Sequence, residues 1–120
     1  MANAMRPSPA FNVLWLQSGG CGGCSMSLLC ADTTDFYGQL RDAGIHLMWH
    51  PSFSLESGHE LIAMLEEIAA GRLRLDALCI EGSMLRGPQG TGRFHVLAGT
   101  GMPMIHWVHR LAQQARHVVA

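Results

Sequence analysis

Residues 11–16, Phe11-Asn12-Val13-Leu14-Trp15-Leu16, run apolar almost without interruption into Ser18-Gly19-Gly20-Cys21-Gly22-Gly23-Cys24-Ser25. A strand covered on both faces tolerates such a run, and parallel sheets supply that cover. The glycines end the strand and open a turn into a helix. Two thiols three positions apart are thereby expected in a loop at the carboxyl end of a sheet strand, where α/β folds place their ligand sites. No other segment narrows the possible folds so far.

The rest of the chain repeats the alternation. Residues 24–30 read as a helix, followed by an irregular turn and a second helical piece through Leu40 that Gly44 closes. Residues 45–50 read as a second strand, stopped by Pro51. Leu61, Met64, Leu65 and Ile68 recur at helical spacing within residues 60–70, with Ser57 as a candidate cap and Gly71 as the stop. Residues 75–81 form a third strand that ends at Gly82. Residues 83–100 carry four glycines and a proline without a period, a long loop of the kind that usually serves function. A helix over 102–115 should then bury Ile105, Val108, Leu111 and Ala112, with Pro103 in its first turn. His117-Val118-Val119-Ala120 begins a fourth strand.

Strand and helix in strict alternation give an α/β, doubly wound parallel sheet. Residues 1–10 are expected to be a flexible tail and 11–120 a single domain, incomplete in its fourth strand. The expectation is an N-terminal piece of a longer protein, cut by truncation or by gene decay.

Composition limits the function classes. Hydrophobic residues make up 48% of the 120 positions and charged ones only 14%, so surface should be buried against a partner as well as within the domain. All eight basic residues are arginine, and the net charge of −1 provides no basic stripe for nucleic acid. No apolar run is long enough to span a bilayer, and residues 1–10 have no signal-peptide core, so a cytoplasmic location is expected. In that compartment cysteines serve as metal ligands, redox thiols or buried residues more often than as structural disulfides.

Cys21 and Cys24 suit three chemistries by spacing alone: an iron–sulfur cluster, a thiol–disulfide pair, or half a zinc site. Gly20, Gly22 and Gly23 give the backbone room to approach a bulky group and to turn N–H donors toward its sulfurs. The disulfide reading lacks a proline-bearing loop of the right kind, since Pro103 opens a helix. Cys30 is expected on the buried side of the first helix, and Cys79 inside a central strand. Glu81, at the carboxyl end of the third strand, should share the sheet edge with the thiols, either as a surface acid or as a proton-handling or partner-facing carboxylate. His106 and His109 read as solvated rather than metal-binding. Gly90-Thr91-Gly92-Arg93 lacks the Lys-Ser/Thr of a phosphate loop. The methionines, Met26 among them, are expected in the core or at an interface.

Taken together, Leu14-Trp15-Leu16-Gln17-Ser18-Gly19-Gly20-Cys21-Gly22-Gly23-Cys24-Ser25 and Ile80-Glu81-Gly82-Ser83 resemble the small subunit of [NiFe] hydrogenases, related to the 20 kDa-like cluster-bearing subunit of respiratory complex I. The likeness runs from about Asn12 to Ala120 and is nearest to the regulatory, hydrogen-sensing or uptake subgroup. It implies a flavodoxin-like domain in which Cys21 and Cys24 are the first two ligands of a proximal [4Fe-4S] cluster. The cluster would sit beside the Ni–Fe centre of a separate large subunit, where H2 is split, and would pass electrons onward. The family's remaining proximal cysteines come later than Ala120. A signalling kinase or an electron acceptor is a further partner the resemblance allows. Many members carry Glu two positions after the second cysteine, where this chain has Met26. Gly23 is not one of the additional cysteines of oxygen-tolerant members, so an ordinary cubane is implied. The rivals are a stand-alone thiol–disulfide module and a decayed fragment.

Overall fold

The computed structural model describes residues 9–31 and 35–120. Most of the proposed tail, residues 1–8, and the turn at 32–34 lie outside the described residues. The elements are β1 (Phe11–Gln17), α1 (Gly23–Leu29), α2 (Phe36–Asp42), β2 (Ile45–Trp49), α3 (His59–Ala69), β3 (Ala77–Glu81), α4 (Met104–Ala112) and β4 (His117–Val119). All pairings in the four-stranded sheet are parallel, in the order β2-β1-β3-β4. β1 is therefore central, as its apolar run demands, and the first strand lies where the doubly wound pattern changes direction.

The two faces of the sheet are unequally covered. Leu14 and Leu16 point to one side with Leu78 and Ile80, their register partners in β3. That side meets Leu61, Leu65 and Ile68 of α3 and Met104, Trp107, Val108 and Leu111 of α4 in one core. Each leucine fully buried there contributes roughly 2 kcal/mol through removal of apolar surface from water. On the other side Val13 and Ala77 are buried, while Trp15, Cys79 and Glu81 are only half-buried. The expectation of full cover on both faces of β1 holds for one face only.

Local details depart from the sequence reading for identifiable reasons. α4 buries Met104 and Trp107 instead of Ile105 and Ala112. The Trp107 indole N–H donates to Thr100 Oγ1 at 3.2 Å, which anchors that face inward. Pro103 lies at the N-cap, not in the first turn, and pairs with Val96 in an isolated antiparallel bridge. Ser57 does not cap α3, whose N-cap is Gly58 without a side-chain bond. Cys30 is not buried: α1 ends at Leu29, and Cys30 is an exposed C-cap residue.

One carboxylate fixes the amino end of β3. The Asp76 side chain is 4% exposed and accepts the Asn12 backbone N–H at 2.7 Å and Arg74 Nε at 3.1 Å. Arg116 Nη1 stands 3.8 Å from its other oxygen. The carboxylate thus ties the starts of β1 and β3 together, with two arginines offsetting its charge.

Candidate thiol site at the carboxyl edge of the sheet

The site is built where β1 and β3 end together. Gln17 is the register partner of Glu81, and the Ser18 N–H donates to the Glu81 carbonyl at 2.8 Å. Beyond the strands the chains stay paired: the Gly19 N–H donates to the Ser83 carbonyl at 2.8 Å, and the Ser83 N–H returns to the Gly19 carbonyl at 3.0 Å. This antiparallel bridge needs glycine on both sides. A Cβ at Gly82, whose φ is +91°, would stand 2.8 Å from the Gly19 carbonyl oxygen, and one at Gly19 would stand 2.9 Å from that of Ser83. The backbone that carries the thiols is therefore pinned to the end of β3.

Cys21 follows on that loop, whereas Cys24 lies in the first turn of α1 and not in the loop where the sequence reading places it; both are exposed free thiols. Gly22 adopts the left-handed conformation, φ +71°, and turns the chain into α1. The Gly23 N–H then donates to Cys21 Sγ at 3.4 Å, the kind of N–H···S bond that stabilises a thiolate ligand. Gly23 keeps the space beside Cys21 open, since a Cβ there would lie 3.2 Å from its Sγ.

Behind the thiols lies a polar chain that the sequence did not reveal. Ser25, the residue after Cys24, is 3% exposed and donates its hydroxyl to Glu81 Oε2 at 2.7 Å. The Trp15 indole N–H donates to the same oxygen at 3.2 Å. On its other side Ser25 Oγ lies 3.2 Å from Nε2 of His50, which is 1% exposed. His50 Nδ1 accepts the Ser52 backbone N–H at 3.0 Å, so the ring proton sits on Nε2 and is donated to Ser25. Every bond in the chain then points one way, from imidazole to hydroxyl to carboxylate. Phe53 stacks on the imidazole at 4.0 Å.

The surroundings of the ionisable groups agree with that polarity. The Ser25 hydroxyl, aided by the indole, holds the Glu81 carboxyl below the usual carboxylate range against partial desolvation. Burial holds the His50 imidazole below its ordinary value, against the pull of the Glu81 charge. Burial pushes the Cys79 thiol up, as befits a half-buried strand thiol behind the site. His106 and His109 are exposed on α4.

As a donor set, the two thiols suit a thiophilic group. Among the described residues no three His, Cys, Asp or Glu side chains are gathered as a metal site. Cys21 and Cys24 thus fit an iron–sulfur cluster as two of its ligands and do not complete one. Near them α1 presents Met26, Leu28 and Leu29 to the surface, 52%, 38% and 45% exposed. Among the described residues no helix is long and apolar enough to cross a membrane.

Comparison with known proteins bears on the family and the fold. Residues 21–120 match the family model described as NADH ubiquinone oxidoreductase, 20 Kd subunit. The small subunits of F420 non-reducing hydrogenases I and II of Methanosarcina mazei are each 30% identical over 95 residues, covering 71% of this chain and 25% of theirs. The [NiFeSe]-hydrogenase of Desulfomicrobium baculatum superposes with a TM-score of 0.70 at 28% identity, over 92% of this chain and 42% of that one. The actinobacterial-type NiFe-hydrogenase of Ralstonia eutropha H16 superposes with a TM-score of 0.71 at 26% identity, over 92% and 35%. The chain spans about a quarter of the length of the curated relatives it matches. The resemblance to the small subunit of [NiFe] hydrogenases, read from the thiol loop and from Ile80-Glu81-Gly82-Ser83, is thereby borne out.

Proposed function

The chain belongs to the NADH ubiquinone oxidoreductase 20 Kd subunit family, and from that premise we propose that it is the N-terminal part of a [NiFe] hydrogenase small subunit, an electron-transfer component of an oxidoreductase acting on hydrogen. The observation that carries the reading is the pair of exposed thiols at the carboxyl edge of the sheet, Cys21 on the glycine loop and Cys24 in the first turn of α1, with the Gly23 N–H aimed at Cys21 Sγ. Cys21 and Cys24 are two ligands of a [4Fe-4S] cluster in this proposal, with Gly20, Gly22 and Gly23 leaving room for it. When bound, such a cluster carries one electron at a time. The loop's amide and the burial of its base set how well the thiolate charge is tolerated.

The partner is a large subunit holding the Ni–Fe centre. The apolar surface of Met26, Leu28 and Leu29, next to the thiols, is suited to burial against it. A cytoplasmic location and a regulatory, hydrogen-sensing or uptake role belong to the same proposal, with a signalling kinase or an electron acceptor downstream.

Anaerobic treatment of the chain with ferrous iron and sulfide tests it. Two thiolates should take up a labile iron–sulfur chromophore, and Cys21→Ser or Cys24→Ser should each remove its visible absorption. A protein that stays colourless, while cycling a Cys21–Cys24 disulfide and reducing insulin, is a thiol–disulfide module instead.

A further inference from the structure

α1 is a helix of seven residues with little to hold it. It has no side-chain cap, no acidic residue in its first turn and no basic residue in its last, and Ser25 is its one buried residue. Cys24 and Met26, on either side of Ser25, are exposed. Successive helical residues are rotated by about 100°, so the direction in which Ser25 is held decides where Cys24 points. Ser25 is held from two sides, by His50 from the end of β2 and by Glu81 from the end of β3. Both partners are themselves fixed, the imidazole by Ser52 and the Phe53 ring, the carboxylate by Trp15.

We propose that His50 and Glu81 are positioning residues for Cys24, gripping Ser25 between two strand ends so that the first turn of α1 presents the Cys24 sulfur beside Cys21. The inference rests on the reading of Cys21 and Cys24 as a ligand pair and adds residues that hold the pair in place. A proton-conducting role for the same chain is disfavoured by its geometry. A proton arriving at His50 would have to leave through Nδ1, which is occupied as the acceptor of the Ser52 N–H. The chain ends there, and its fixed polarity suits it to holding a conformation. Glu81 works in it as a permanent acceptor for two neutral donors.

The test uses the full chain and Cd2+ as a thiophilic probe, read by the sulfur-to-cadmium charge-transfer absorption in a Cys30→Ser/Cys79→Ser background. The parent should bind one Cd2+ through Cys21 and Cys24, and the signal should vanish on Cys24→Ser. Glu81→Ala and His50→Phe should each weaken binding roughly 10-fold, the order usual when a group supporting a metal ligand is lost. Glu81→Gln, whose amide oxygen still accepts both donors, should restore affinity to within about threefold of the parent. That recovery separates positioning from a need for the charge itself. Ser25→Ala, a small change that leaves the core alone, should reproduce the loss if either larger substitution prevents folding. Parent-like affinity in Ser25→Ala, or in folded Glu81→Ala and His50→Phe, overturns the positioning role while leaving the ligand pair standing. A parent that binds no Cd2+ through Cys21 and Cys24 overturns the ligand reading and this inference with it.

Discussion

β3 has a carboxylate at each end, and the two are treated in opposite ways. Asp76, just before the strand, is buried and accompanied by Arg74 and Arg116. Glu81, its last residue, is half-exposed, receives a hydroxyl and an indole N–H, and has no ion pair among the described residues. A buried carboxylate whose charge is offset by arginines serves to hold strands together. One that is kept ionised by neutral donors retains its charge at the surface, next to the thiols. The same strand thus separates a structural end from an end arranged around a site.

Removing each carboxylate should expose that difference. Asp76→Ala should lower stability by about 3 kcal/mol, because the Asn12 N–H and the arginines lose a buried partner, as read from urea unfolding. Glu81→Ala should cost only about 1 kcal/mol, since Ser25 and Trp15 lose one acceptor near solvent. Equal losses from the two substitutions would erase the contrast between the ends.

Acid should weaken the thiol end in two steps. Both His50 and Glu81 titrate lower in the folded chain than in the unfolded one. The unfolded chain therefore binds each proton first, and the stability each group contributes is full above its ordinary value and lost as pH falls through the folded one. For His50 the loss begins near pH 6.5, and for Glu81 it begins within the ordinary carboxylate range and continues below it. His50→Gln should flatten the upper step in a plot of urea midpoint against pH and leave the lower one. A variant whose upper step matches the parent would assign that step to another group.

The smallest expected effect sharpens what the arginines do. Arg116 is 72% exposed and 3.8 Å from Asp76. Arg116→Ala should shift stability by no more than about 0.5 kcal/mol, in contrast with Asp76→Ala. A loss of several times that in the same urea assay would show that the outer arginine, and not Arg74, compensates the buried charge.

Much of this architecture was legible because it follows from period and punctuation. The apolar run at 11–16, the stop at Pro51, and Leu61, Leu65 and Ile68 at helical spacing give the order of elements and the centrality of β1. What escaped the sequence lies in side-chain rotation and in contacts across long separations. The buried face of α4 follows Trp107, whose bond to Thr100 turns the helix away from the face that includes Ile105 and Ala112. Cys30 falls outside because α1 stops one residue earlier and turns only Ser25 inward. Glu81 was placed correctly at the thiol edge by strand direction alone. His50, in the same position at the end of β2, carried the same signal, but its partner Ser25 is 25 residues away, separated from it by the rest of α1, α2 and β2.

The Gly19–Ser83 bridge also bears on where this chain can change in length. An inserted residue between Gln17 and Gly19, or between Glu81 and Ser83, would slide one arm of the bridge against the other and carry the thiols out of register with the end of β3. Beyond Ser83 the chain is free of that constraint, and the segment up to Pro103 closes on itself through bonds such as Phe94 N–H to the Gly87 carbonyl and Leu97 N–H to the Met102 carbonyl. A change in length is therefore tolerated more readily just after Ser83 than at the bridge, so the stretch that can vary begins one residue after the stretch that must not.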